Sequence, residues 1–186
     1  FYPDLTERDH SRAPSVDLYV AGFPCQPFSR AGKQQGFSDD KGRGDPIFHI
    51  FEYLKIKTPK IVVLENVKGF TTLERGKCLR KVLNMLYSIK EQTANAADEA
   101  KAPQLYEIHH KVLNTNEHGI PHHRTRWYCV GIRRDISANN FTWPEEIPCA
   151  PLGMFLDPHK KELADALTTV SHTASKNIQK ARAQLV

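Results

Sequence analysis

Apolar residues along this chain fall into runs and spacings that each predict an element. Asp17-Leu18-Tyr19-Val20-Ala21 is a short apolar run and predicts a buried strand leading into Gly22 and a glycine-rich, polar loop. Ile47, Phe48, Ile50, Phe51 and Leu54 recur at helical spacing, with Asp45 as N-cap and Pro46 as first helical residue, and the pattern ends near Thr58-Pro59. Ile61 to Leu64 is a four-residue apolar run suited to a strand buried on both faces of a parallel sheet. Strand, helix and strand make a βαβ unit. Leu79, Val82, Leu83, Leu86 and Ile89 mark a second amphipathic helix with Cys78 at its start as core. Glu91 to Gln104 is polar and predicts the end of that helix followed by a surface loop. Tyr106, Ile108, His110 and Val112 then alternate at period two, and Trp127 to Ile132 forms another strand. Two late strands without a helix between them predict an antiparallel edge on an otherwise parallel α/β sheet. Prolines at 144, 148 and 151 mark a linker, and Asp157-Pro158 caps a helix carrying Leu163 and Leu167. The expected division is therefore a core over residues 1–143 and a linker with a helix over 144–186.

Composition narrows the class without naming a function. The 186 residues suit one domain of ordinary size, and 26 Lys+Arg against 21 Asp+Glu leave a charge of +5, which permits a polyanionic partner. Cys25, Cys78, Cys129 and Cys149 are far apart and show neither disulfide nor zinc spacing. No apolar run reaches the roughly 18 residues of a membrane span, and no signal-peptide pattern opens the chain. The Gly-x-Gly-x-x-Gly turn of a cofactor cradle is absent, Gly42-Arg43-Gly44 following a polar loop and not a strand.

The candidate chemistry gathers where the first two strands end. Cys25 follows Gly22-Phe23-Pro24 at the carboxyl end of the first strand, where reactive groups collect in open α/β sheets, and polar, flexible residues after it suit a presented thiol. If the two strands run parallel, Glu65 emerges at the same edge, 40 positions later. A thiol and a carboxyl placed together suit nucleophilic attack with acid assistance. Arg124 and Arg126 flank Thr125 just before a strand, and alternation predicts both guanidinium groups on one side. The loop from Ser29 to Gly44 mixes glycines with Arg30, Lys33, Lys41 and Arg43 and reads as mobile and cationic. His109, His110, His118, His122 and His123 lack a cysteine partner at ligand spacing and read as surface histidines, so no metal is expected.

Gly22-Phe23-Pro24-Cys25-Gln26-Pro27-Phe28-Ser29 resembles the nucleophile motif of the C5-cytosine DNA methyltransferases. In the family's order, Glu65-Asn66-Val67 resembles its Glu-Asn-Val motif and His122-His123-Arg124-Thr125-Arg126 its Gln-x-Arg-x-Arg motif, with His122 where the family has glutamine. The resemblance implies a partial Rossmann-like fold dependent on S-adenosyl-L-methionine, with double-stranded DNA containing cytosine as partner. It implies that Cys25 adds to C6 of a flipped cytosine, that Glu65 assists at N3, that Arg126 contacts the O2 edge and supports Glu65, and that Arg124 positions the closing loop. Gln26, Ser29 and Asn66 are then expected at the substrate, and Asp4, Pro24 and Ile47 at the cofactor. The family's glycine-rich cofactor motif precedes the nucleophile, so the chain is expected to be a fragment, monomeric and of low activity alone. Nuclear placement is expected in a eukaryote and cytoplasmic placement in a prokaryote. The alternatives are the tRNA-methylating branch of the same fold and a non-catalytic nucleic-acid-binding remnant.

Overall fold

The computed structural model describes residues 4–24, 45–91, 101–155 and 179. The chain divides into two compact units, one of Phe1–Leu113 with Thr125–Trp143 and one of Asn114–Arg124 with Pro144–Val186. Among the described residues, no helix is long and apolar enough to cross a membrane.

The first unit is built on a four-stranded sheet of β1 (Leu18–Gly22), β2 (Ile61–Val67), β3 (Tyr106–Asn114) and β4 (Thr125–Arg133), in the order β1-β2-β4-β3. β1 and β2 are parallel, from Leu18 opposite Ile61 to Gly22 opposite Glu65. α1 (Pro46–Lys57) makes the crossover between them, which completes the expected βαβ unit. β4 runs antiparallel to β2, from Ile61 opposite Ile132 to Val67 opposite Arg126. The amide just beyond β4, that of Arg134, donates to the carbonyl of Leu105 just before β3 at 2.9 Å. The end of one strand thus meets the start of the other, so β3 and β4 form the antiparallel pair expected at the sheet's margin. The architecture is α/β with a mixed sheet.

Pro46 opens α1 at its first position as expected, but Asp45 makes no side-chain cap; its carbonyl accepts from the Phe48 amide at 2.8 Å. Thr58 ends the helix in the left-handed region, at φ 43°, with its amide on the Leu54 carbonyl. Pro59 then blocks continuation, since it has no amide hydrogen to donate. Tyr53 on α1 donates its hydroxyl to the Pro14 carbonyl, and Lys57 its ammonium to the Ser11 carbonyl, both at 2.8 Å. These bonds hold the segment before β1 against the helix.

Three expectations change. β2 extends three residues beyond Leu64, because β4 pairs with it through Val67. It is deeply buried on one face only, with Val62, Leu64 and Asn66 inside and the odd-numbered residues half-buried. β1 is likewise no buried strand: Leu18 and Val20 are 54% and 63% exposed, since among the described strands it lies at the sheet's edge. The second helix, α3 (Lys77–Tyr87), stops before Glu91 and is preceded by the unpredicted α2 (Gly69–Thr72). Between α2 and α3, Glu74, Arg75 and Gly76 are all left-handed, at φ 50°, 55° and 79°. Only the glycine adopts that conformation without cost.

Core side chains fill the space between the sheet's inner face and the helices. Trp127, Phe70, Ile50, Leu54, Val82 and Leu86 are at most 2% exposed, each contributing about 1.5–3 kcal/mol of transfer free energy. Phe70 lies between Phe23 and Trp127, with ring centroids 5.4 and 5.0 Å away. That packing fixes the residue two before Cys25 against the core.

Candidate active site at the carboxyl ends of β1 and β2

Register brings Gly22 opposite Glu65, and the glycine matters because a Cβ there would lie 3.2 Å from Glu65 Oε2. The carboxylate therefore lies across the end of β1, in space that a side chain would take. On the other flank, Arg126 donates from Nε to Glu65 Oε1 at 2.9 Å, the two side chains being 19% and 30% exposed. Arg126 also donates from Nη1 to the carbonyl of Thr125 at 2.9 Å. A second bond to its own strand limits where the guanidinium can go. The acid and the arginine thus form a charge-assisted pair open to solvent on one side.

Asn66 lies on the opposite face of β2 and is wholly buried. Alternation along the strand turns its side chain away from the face that carries Glu65. Its amide donates to the Phe23 carbonyl at 3.3 Å, and its own oxygen accepts from the Val67 amide at 2.8 Å. Asn66 therefore holds the Phe23 carbonyl, two residues before Cys25, against β2. Gly22 and the Phe23 carbonyl are the parts of this arrangement that the sequence reading missed. A glycine inside a strand pattern, which often marks close approach of another group, was the available signal.

Cys25, Gln26 and Ser29 lie outside the described residues, as does the cationic loop to Gly44. Pro24 is half-buried at the end of the described segment. Ile47, expected at the cofactor, is fully buried in the α1 core, because it sits on the helix face turned to the sheet. Asp4 is exposed, and its Oδ1 accepts from both the amide and the hydroxyl of Thr6 at 2.7 Å. Those bonds, the hydroxyl first, hold its carboxyl below the ordinary range. Arg124 is exposed and belongs to the second unit, whereas Arg126 belongs to the first. The structure joins Arg126 to Glu65.

Among the described cysteines, Cys78 and Cys129 are buried. Burial pushes the Cys129 thiol up to about 12, which leaves it neutral and inert. In the second unit the Asn114 amide lies 3.1 Å from His123 Nδ1, and Thr115 donates its hydroxyl to the His122 carbonyl, leaving the His122 ring exposed. His109 departs from the surface reading: its Nε2 is 2.8 Å from Glu107, and its ring packs on Phe141 with centroids 4.6 Å apart. His10, His49 and Glu52 bring three potential ligand atoms within 4.8 Å of one another. However, His10 Nδ1 accepts from Arg8 Nε at 3.3 Å, which puts the ring proton on Nε2, where a cation would need a lone pair.

A family model for C-5 cytosine-specific DNA methylases matches residues 2–184. The chain belongs to that family. Among curated relatives, it is 39% identical to the Type II methyltransferase M.HhaI of Haemophilus parahaemolyticus over 76% of this chain and 38% of that protein. It is 41% identical to the Type II methyltransferase M.NgoBI of Neisseria gonorrhoeae over 84% of this chain and 43% of that one. The chain thus spans about two fifths of the length of these relatives. Its fold is shared with the methyltransferase EhMeth of Entamoeba histolytica, at a TM-score of 0.52 and 19% identity, over 76% of this chain and 39% of that structure. Methyl transfer to cytosine in DNA is the chemistry for which the C-5 methylase family is named.

Proposed function

We propose that this chain carries the nucleophile and acid of an enzyme that methylates C5 of cytosine in duplex DNA. The observation that carries the reading is the Glu65–Arg126 pair at 2.9 Å, set beside Gly22 at the end of the strand that leads to Cys25. C5 of cytosine is a poor nucleophile. Addition of the Cys25 thiolate to C6 of a flipped base forms an S–C6 bond and moves the C5–C6 π pair onto C5, with negative charge building toward N3. Glu65 entering as the acid gives its proton to N3, and the Arg126 guanidinium stabilises the carboxylate that remains. After alkylation of C5, loss of its hydrogen as a proton, expulsion of the thiolate and return of the N3 proton to Glu65 restore the ring and the acid.

S-adenosyl-L-methionine is the methyl donor this reading calls for, and it would supply an electrophilic methyl group. Of the three expected contacts, Asp4 and Pro24 reach solvent and Ile47 does not. The described residues therefore fit only part of such a group. Family membership supports the donor.

Exchange of the cytosine C5 hydrogen with solvent, on duplex DNA without cofactor, tests the reading because it reports thiol addition alone. Exchange by the wild-type chain that is lost in Cys25→Ser and falls at least about tenfold in Glu65→Gln is expected. Equal exchange by Cys25→Ser would refute it. Preference for tRNA over DNA in direct competition would move the assignment to the RNA branch.

A further inference from the structure

The sequence between β2 and the end of α3 is cationic: Lys68, Arg75, Lys77, Arg80 and Lys81 stand against the lone acid Glu74. All five cations are exposed. The fold turns this composition into a shape. Lys77, Arg80, Lys81, Asn84, Met85 and Ser88 line a shallow hollow of about 510 Å³ along the outer face of α3, with no carboxylate among them. Two contacts hold two of its three cations in place. Arg80 donates from Nη1 to the Arg75 carbonyl at 3.0 Å, and Gly76 makes room, since a Cβ there would meet that same nitrogen at 3.1 Å. The Lys81 ammonium lies over the Phe48 ring of α1, 4.7 Å from its centroid. The left-handed run through Glu74 and Arg75 is the strained backbone that presents the Arg75 carbonyl, and such strain persists where surrounding contacts over-determine it.

A hollow lined by cations, with no carboxylate among its described lining residues, suits a string of phosphates. Lys68 begins where β2 ends, directly after Val67, so the patch starts at the strand end that carries Glu65. The geometry points to the outer face of α3 as a seat for the phosphodiester backbone of the bound duplex, separate from the base-handling site. This inference rests on the reading of the chain as DNA-modifying. Such contacts position a duplex without reading its sequence.

The test is anisotropy of a labelled cytosine-containing duplex with the full 186-residue chain across a range of salt. Loss of two phosphate contacts in Lys77→Gln/Arg80→Gln is expected to reduce the slope of log affinity against log salt by about 2, equally for unrelated sequences. Asn84→Asp places a carboxylate in the hollow while leaving the Arg75–Arg80 contact intact, and is expected to weaken binding severalfold. Inorganic phosphate alone should compete poorly, because one ion cannot span the patch; full competition at low millimolar phosphate would make this an isolated anion site and overturn the inference. So would unchanged slopes in both variants, or loss of polyglutamate binding in the variants with duplex binding unaltered. Cys25→Ser should bind with the wild-type slope. Altered slopes without C5-hydrogen exchange would leave the surface standing and sink the catalytic reading, whereas exchange with unaltered slopes would do the reverse.

Discussion

Gly22 shows how narrowly one residue can set a site. Its missing side chain leaves Glu65 Oε2 where an alanine Cβ would come to 3.2 Å, so Gly22→Ala must displace the carboxylate by a few tenths of an ångström. Displacements of that kind cost rate far more than stability. C5-hydrogen exchange is expected to fall about tenfold or more in Gly22→Ala, while the urea midpoint changes by less than about 0.5 kcal/mol in free-energy terms. A loss of stability matching the loss of exchange would show that Gly22 serves packing alone. At this scale the sequence revealed residue types and not directions. The place of Glu65 at the end of β2 was legible from the apolar run before it, whereas the burial of Asn66 was not, because it depends on which face of β2 meets Phe70 and Trp127. Ile47 was misplaced for the same reason, its helix face being settled by packing against the sheet.

Elements were legible where local pattern and tertiary demand agree. The βαβ unit followed from apolar spacing and Pro46, and the antiparallel pair from strands lacking a helix between them. β2 was read too short because Glu65 and Asn66 break the apolar run, and only pairing with β4 reveals that they continue the strand. The turn from Glu74 to Gly76 was invisible, since two of its three left-handed residues are not glycine. Thr58 holds the same conformation at φ 43°, which is costly for a β-branched residue. Its described bonds use backbone atoms, the amide to Leu54 and the carbonyl to Arg133 Nη1 at 2.9 Å. Thr58→Gly should therefore raise unfolding free energy by up to about 1 kcal/mol, read from chemical denaturation. A lower stability would place the threonine methyl or hydroxyl in a supporting role.

At the scale of the whole molecule, stability should depend on pH through His10. The imidazole is only 5% exposed, and burial first, then the Arg8 cation, hold its pKa below the ordinary value of 6.5. Glu52 opposes that shift, as does Asp9, while His49 adds to it. Well above pH 6.5 the ring is neutral folded or unfolded. As pH falls below that value, the unfolded chain takes up a proton that the native ring resists, so stability is lost progressively until the native ring protonates as well. Unfolding free energy measured from pH 7 to 5 should decline in the wild type and decline less in His10→Gln. Parallel slopes would assign the effect to other groups.

Asn66 and Glu65 are neighbours in sequence that serve opposite sides of one sheet, the amide anchoring Phe23 within and the carboxylate meeting Arg126 without. Side chains on a strand alternate strictly, so a slip of one residue exchanges the faces. An insertion between Ile61 and Glu65 would carry the acid into the core and the amide into the open, however well the apolar character were kept. An apolar replacement at Val62 or Val63 keeps the acid on its face, whereas a changed count of residues before it does not: in this strand, length decides where the chemistry faces.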